Sequence, residues 1–129
     1  MLVSEDGRIA GYYTLSSDNI RIDDLRLDMA APELVKQLKL PRYPAIGATL
    51  IGRLARDLSF RGQGVGELLL IDALTVALAM SRKIASAAVV VDARDGNAQR
   101  FYTEFGFPAF PETRNRLFIP MKTIEKLFA

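Results

Sequence analysis

The stretch 59-SFRGQGVGELLL-70 places three glycines in five positions and then runs into apolar residues of helical character. Glycine costs backbone entropy, so a cluster marks a turn or a close approach to something. Gly62, Gly64 and Gly66 alternate, and no proline intervenes. The backbone N–H groups of residues 63–67 would then converge ahead of a helix. The first N–H groups of a helix lack internal acceptors, so this point suits an anion.

Working outward, 46-IGATLIGRLAR-56 reads as a strand with two glycines. That predicts a bulge, or a place where another backbone comes close. Residues 65–80 read as a helix that is apolar nearly all round, with only Glu67, Asp72 and Thr75 as polar interruptions. Such a helix is expected to be buried on more than one side. The run 83-KIASAAVVV-91 is small and β-branched without alternation, as in a buried parallel strand. From 97 to 105 a helical period returns, with Ala98, Phe101, Tyr102 and Phe105 on one stripe and Gly106 placed as its C-cap. A last strand, 116-RLFIPM-121, precedes a short terminal helix over 122–129.

On the other side of the motif, 8-RIAGYYTL-15 reads as a strand after an Asp6-Gly7 turn, with residues 1–3 as a remnant of its hairpin partner. Residues 17–30 are polar without a period and are expected to be a loop. Pro32 in 31-APELVKQL-38 suits the first turn of a short helix. The order of strands and helices predicts an α/β domain layered on a central sheet.

At 129 residues the chain has room for one domain with one core, 1–129. Half of it is hydrophobic and a quarter charged, the balance of a soluble globular protein. No apolar run reaches the roughly 18 residues that span a bilayer, and the first residues lack the basic and apolar regions of a signal peptide. A cytoplasmic protein without membrane association is expected. The absence of cysteine excludes disulfides and thiolate chemistry, and the absence of histidine excludes an imidazole base and the usual zinc sites. No metal is expected. A net charge of +2 permits a nucleic-acid or acyl-phosphate partner without demanding one.

Three phosphate-loop patterns compete for the glycines. A Walker A loop ends in Gly-Lys-Ser/Thr, but Gly66 is followed by Glu67. A Rossmann fingerprint needs G-x-G-x-x-G directly after a strand, and this chain has G-x-G-x-G after an intervening stretch, 57–60. R-x-x-G-x-G is met by Arg61, Gly64 and Gly66 between a strand and a long helix. That pattern resembles the pyrophosphate loop of the GNAT N-acetyltransferases.

The resemblance extends beyond the loop. "LARDLSFRGQGVGELLLIDAL" followed by "VVVDARDGNAQRFYTEFGF" is similar to the two core motifs of that superfamily, in order and at the usual separation. They lie within 46–107, nearly half the chain. "GRLARD", "DARD", "FYTEFGF" and "RLFIPM" resemble more narrowly the branch of bacterial toxins that acetylate the aminoacyl group of charged tRNA. Those toxins pair with a ribbon-helix-helix antitoxin.

The resemblance implies a GNAT acyl-CoA N-acyltransferase fold, with a mixed central sheet and helices on both faces. It implies acetyl-CoA as co-substrate and direct attack by a primary amine. Leu54, Ala55 and Arg56 would orient the acetyl group through backbone N–H groups. Arg61, Gly62, Gln63, Gly64, Val65, Gly66 and Glu67 would form the pyrophosphate loop. Tyr102 matches the tyrosine that protonates the leaving thiolate, although core packing on an amphipathic helix also accounts for it. Asn97 fits either an N-cap or a contact to the coenzyme arm. Glu5, Asp6, Glu104 and a water relay remain as candidates for the base.

Two departures from the family pattern stand out. Arg56 occupies a position where the toxin branch favours an apolar residue. With Arg53, Arg94 and Arg100 it fits an acceptor-facing basic surface or a solvated charge set. The family also normally opens with a strand and one or two helices that form much of the acceptor wall, and the chain reads as N-terminally truncated, starting at or just inside the second strand. A misassigned start and a wall borrowed from a partner both fit. The second favours a homodimer, with residues 8–15 or 116–121 as the pairing edge. A small-molecule or protein N-acetyltransferase and a non-catalytic acetyl-CoA-binding module are the alternatives to a tRNA-directed enzyme.

Overall fold

A computed structural model describes residues 2–3, 9–21, 45–56, 64–83, 85–111 and 115–128; at 2, 3, 9, 10, 45, 46, 55 and 56 only the backbone is considered. Five strands form one sheet in sequential order. They are β1 (Leu2–Val3), β2 (Ile9–Arg21), β3 (Ala45–Arg56), β4 (Ala88–Asp92) and β5 (Arg116–Pro120). The helices are α1 (Val65–Ser81) between β3 and β4, α2 (Gly96–Phe105) between β4 and β5, and α3 (Met121–Leu127) after β5. Among the described strand pairs only β3–β4 is parallel, as a crossover through α1 requires. The sheet is therefore mixed, as expected.

Alternation along the strands divides the core in two. Ile51, Val89, Val91, Leu117 and Ile119 face one way, against Leu70, Ala73, Leu74 and Ala77 of α1, Tyr102 of α2 and Ile124 of α3. Ala48, Ala88, Val90 and Phe118 face the other way with Ile20 and Phe110. The first four residues of β4 are buried whichever face they take, which explains their unbroken apolar run. Each such Val or Leu side chain contributes about 1.5–3 kcal/mol through burial. The three described helices all bring side chains to the first face. The segment 31–38, expected as a further helix, and the Asp6-Gly7 turn lie outside the described residues.

Both glycines of β3 do what their type allows. At Gly47 the chain passes so close to Ala85 that a Cβ would fall on the Ala85 carbonyl oxygen. The Ala87 N–H donates to the Gly47 carbonyl at 2.9 Å. At Gly52 the antiparallel register slips: Thr14 faces Arg53, Leu15 faces Ile51, and Gly52 is the extra residue of a bulge.

Several boundaries differ from the sequence reading. β2 continues through 17–21, expected as loop, because those residues pair with 45–49 and Ile20 enters the second core cluster. The strand expected over 83–91 starts only at Ala88, since the turn beside Gly47 takes up the residues before it. α1 buries one face only. Leu68, Ile71, Val76 and Met80 are 54, 40, 38 and 44% exposed, with nothing among the described residues covering them. The outer edge of β5 at 116–118 is not free for a second copy, because residues 108–110 already occupy it. Phe110 N–H donates to the Arg116 carbonyl at 2.9 Å and Phe118 N–H to the Pro108 carbonyl at 3.0 Å.

Candidate active site

The site arises where two neighbouring strands part. β3 and β4 pair from Ala48–Ala88 to Ile51–Val91 and then separate. On its other side β3 stays paired with β2 as far as Arg56 opposite Gly11. Residues 52–56 of β3 therefore have one edge with no strand partner among the described residues. A cleft of about 400 Å³ opens there, lined by Tyr12, Gly52, Leu54, Asp92, Arg94 and Tyr102 among others. An adjoining hollow of about 260 Å³ is lined by Leu54, Gly66, Asn97, Ala98, Phe101 and Tyr102. Leu54, Ala98 and Tyr102 border both, so the two run together from the start of α1 to the end of β4.

α1 begins at Gly64, whose φ of +72° is a left-handed conformation that glycine adopts without steric cost. Leu68 N–H donates to the Gly64 carbonyl at 3.1 Å as the first helical bond. The N–H groups of Val65, Gly66 and Glu67 thus have no acceptor within the helix, and the helix dipole adds partial positive charge there. Gly66 is open on the side of α2: a Cβ would lie 3.7 Å from the Phe101 ring. Val65 is buried with Leu69 against Tyr13 and Leu54 and fixes the angle at which α1 leaves the sheet.

α2 supplies Tyr102. Its N-cap is Asp95, whose carboxylate accepts from Ala98 N–H at 2.9 Å. The capping role considered for Asn97 therefore belongs to Asp95, and Asn97, inside the first turn, borders the smaller hollow. Gly106 closes the helix with φ +121°. Tyr102 is 8% exposed, more buried than Phe101 or Phe105, which pack against the same core cluster. The Phe101 ring meets it edge-on at 5.2 Å, and Phe107 packs at 5.3 Å from the other side. Among the described residues no side chain holds its hydroxyl by a hydrogen bond. Burial raises its pKa, so the phenol stays protonated at neutral pH.

The other expected site residues divide clearly. Leu54 and Gly66 line the joined clefts. Gly64, Val65 and Glu67 sit at the start of α1, with Glu67 exposed. Ala55 and Arg56 lie on the backbone that β4 leaves unpaired, opposite Tyr12 and Gly11 of β2. Arg61, Gly62 and Gln63 fall outside the described residues, as do the carboxylates Glu5 and Asp6. Glu104 is exposed on α2 and is not among the residues lining either cleft. Arg53 and Arg94 line the larger cleft, while Arg100 is exposed on α2.

Asp92 is the residue that sequence reasoning passed over. It borders the same cleft as Tyr102, and its Oδ1 lies 3.4 Å from Arg116 Nε on β5. That contact is an ion pair without hydrogen-bond geometry, since the buried Nε has no hydrogen-bond partner. The far end of the same guanidinium bonds Asp18 of β2. Among the described residues no group of three or more potential ligands could hold a metal ion, and no helix is long and apolar enough to cross a membrane.

Comparison with known proteins agrees with this architecture. The model of the acetyltransferase (GNAT) domain family matches residues 46–127. The chain is 32% identical over 122 residues to a tRNA-acetylating toxin of Mycobacterium tuberculosis, which covers 95% of this chain and 68% of the toxin. Its structure is similar to that of a tyrosine-to-phenylalanine mutant of KacT, with a TM-score of 0.81 at 33% identity over 97% of this chain and 70% of that one. It is also similar to AtaT complexed with acetyl-methionyl-tRNAfMet, with a TM-score of 0.80 at 33% identity over 98% and 71% of the two chains. Other AtaT structures contain acetyl-CoA or the C-terminus of the antitoxin AtaR. The chain spans 64–71% of the length of these relatives. With a domain model matching residues 46–127 and a relative 32% identical over 95% of this chain's length, the chain belongs to the GNAT acetyltransferase family.

Proposed function

We propose that the protein transfers the acetyl group of acetyl-CoA to the amine of the aminoacyl group on a charged tRNA. The observation that carries this reading is the position of Tyr102, a protonated phenol at the junction of two clefts that lead from a helix start to a parted pair of strands. The pyrophosphate of acetyl-CoA would lie on the N–H groups at the start of α1, completed by Arg61, Gly62 and Gln63. The pantetheine arm would run along 54–56 of β3 like an added strand, with Asn97 beside it. Backbone N–H groups there would hold the acetyl carbonyl as its oxygen gains charge.

The neutral acceptor nitrogen attacks the thioester carbon and the C–N bond forms as the C–S bond breaks; the nitrogen gives up a proton to water, and Tyr102 gives its proton to the departing thiolate and regains one from solvent. Positioning and electrostatics carry such a reaction, so no nucleophilic side chain is needed. The tRNA acceptor is supported by the relatives, one a tRNA-acetylating toxin and one complexed with acetyl-methionyl-tRNAfMet. The protein would also be held by an antitoxin, as AtaT is bound to the C-terminus of the antitoxin AtaR; a ribbon-helix-helix fold for that antitoxin, action in the cytoplasm and a homodimer rest on the sequence resemblance and the sequence reading alone.

The test is incubation of the purified protein with acetyl-CoA and charged tRNA. N-acetyl-aminoacyl-tRNA should accumulate in step with free CoA. Acetylation of small amines but not of charged tRNA would transfer the assignment to a small-molecule enzyme. Binding of acetyl-CoA with no CoA released under either condition would leave a non-catalytic module.

A further inference from the structure

Among its described lining residues the larger cleft carries more positive than negative charge. Arg53 and Arg94 line it, and Asp92 is the one carboxylate among its described lining residues. Guanidinium groups suit phosphates but repel an ammonium. The α-amine of a peptide terminus has a pKa near 7.7–8.0, so the α-amine of an aminoacyl group with its carboxyl likewise in an acyl linkage is in part cationic at neutral pH. An amine entering this cleft needs a negative group to hold it.

Asp92 has the required placement. Its side chain is 55% exposed at the last position of β4, where β3 has already turned away. Arg116 meets Oδ1 from β5, and the same guanidinium is shared with Asp18 of β2. The carboxylate is thus steadied from behind by a cation that it does not own alone. Its Oδ2 has no partner among the described residues. Tyr102, the proposed proton donor, borders the same cleft.

Resting on the reading that the acceptor is an aminoacyl-tRNA, we propose that Asp92 receives the α-ammonium of the acceptor and orients its nitrogen within the cleft of Tyr102. The contact is a charge-assisted hydrogen bond between the ammonium and the free side of the carboxylate. The ammonium loses one proton to solvent water at the open mouth of the cleft before the nitrogen attacks, and the second proton that the nitrogen sheds as the amide forms leaves through the same water. Asp92 therefore selects and positions the acceptor, while Tyr102 serves the leaving group.

The experiment compares the parent with Asp92→Asn and Asp92→Glu, using charged tRNA and the same tRNA esterified with the matching α-hydroxy acid. In Asp92→Asn the KM for charged tRNA should rise roughly 10- to 100-fold, as loss of a charge-assisted contact implies. Acetyl-CoA affinity should stay unchanged, which also reports a folded protein, and Asp92→Glu should recover part of the loss. The parent should bind aminoacyl-tRNA more tightly than hydroxyacyl-tRNA, and Asp92→Asn should not. An unchanged KM in a folded, active Asp92→Asn protein, or a retained preference for the amine, would overturn the inference alone. A parent that leaves charged tRNA unacetylated would overturn the acceptor assignment, and this inference with it.

Discussion

The hydroxyl of Tyr13 on β2 donates to Asp72 Oδ2 on α1 at 2.5 Å, linking residues 59 apart in sequence. The bond reaches the middle of the helix whose first turn borders the candidate site. Tyr13 also packs against Val65 and Leu69 near the start of that helix. One side chain thus braces α1 against the sheet both near its first turn and one to two turns further on.

This brace has an alkaline signature. Burial, then the hydrogen bond to Asp72 and its charge, push the Tyr13 phenol from its ordinary 10.0 up to about 12. The folded state therefore holds this proton more tightly than the unfolded chain does. The contribution is complete below pH 10 and is lost as pH rises from 10 to 12. The pair lies at the surface, so Tyr13→Phe should cost only about 1 kcal/mol at neutral pH. Urea unfolding of parent and variant should show a constant gap up to pH 10 that closes towards pH 12. A gap that widens over that window would contradict the assignment.

Gly66 separates folding from binding. A Cβ there would make ordinary contact with the Phe101 ring, and the backbone is not left-handed. Gly66→Ala should therefore fold as well as the parent, or gain up to about 1 kcal/mol from helix propensity. Gly66→Asp places a carboxylate where the coenzyme phosphates would lie, and acetyl-CoA affinity should fall at least tenfold, or ~1.4 kcal/mol. Calorimetric titration of the folded variants checks both. Unchanged affinity in Gly66→Asp would remove the start of α1 from the site.

Gly47 makes the opposite prediction. A Cβ at this position collides with the backbone of Ala85, which no side-chain movement can relieve. Gly47→Ala should destabilise the protein by roughly 2–3 kcal/mol, in the range for overpacking. The collision lies at the end of β3 remote from Tyr102, so acetyl-CoA affinity of the folded fraction should be unaltered. Thermal unfolding with and without acetyl-CoA tests the two statements together.

These contrasts mark what a sequence can carry. The run ending in Val89, Val90 and Val91 announces a buried parallel strand because both faces are covered and no position needs to be polar. The glycines of β3 announce a bulge or a close approach, but only the register shows that Gly52 takes the first role and Gly47 the second. Residues 17–21 look like a loop because their polar partners are distant: Asp18 meets Arg116, 98 positions later. Asp92 was hidden for the same reason. A carboxylate at a strand end reads as solvated until a cross-strand arginine and a parted neighbour place it in a cleft.

Tyr102 offers the sharpest division between packing and chemistry. Tyr102→Phe keeps the ring between Phe101 and Phe107 and removes only the hydroxyl. The hydroxyl has no hydrogen-bond partner among the described residues, so little stability should be lost, within about 1 kcal/mol. Acetyl-CoA affinity should be nearly preserved, because its phosphates and arm would be held elsewhere. Turnover should fall ~100-fold, within the usual contribution of general acid catalysis. Stopped assays of CoA release alongside calorimetric titration read the two effects separately. Equal turnover in variant and parent would make Tyr102 a core aromatic that happens to border the cleft, and a matching loss of coenzyme affinity would make it a binding residue rather than the proton donor.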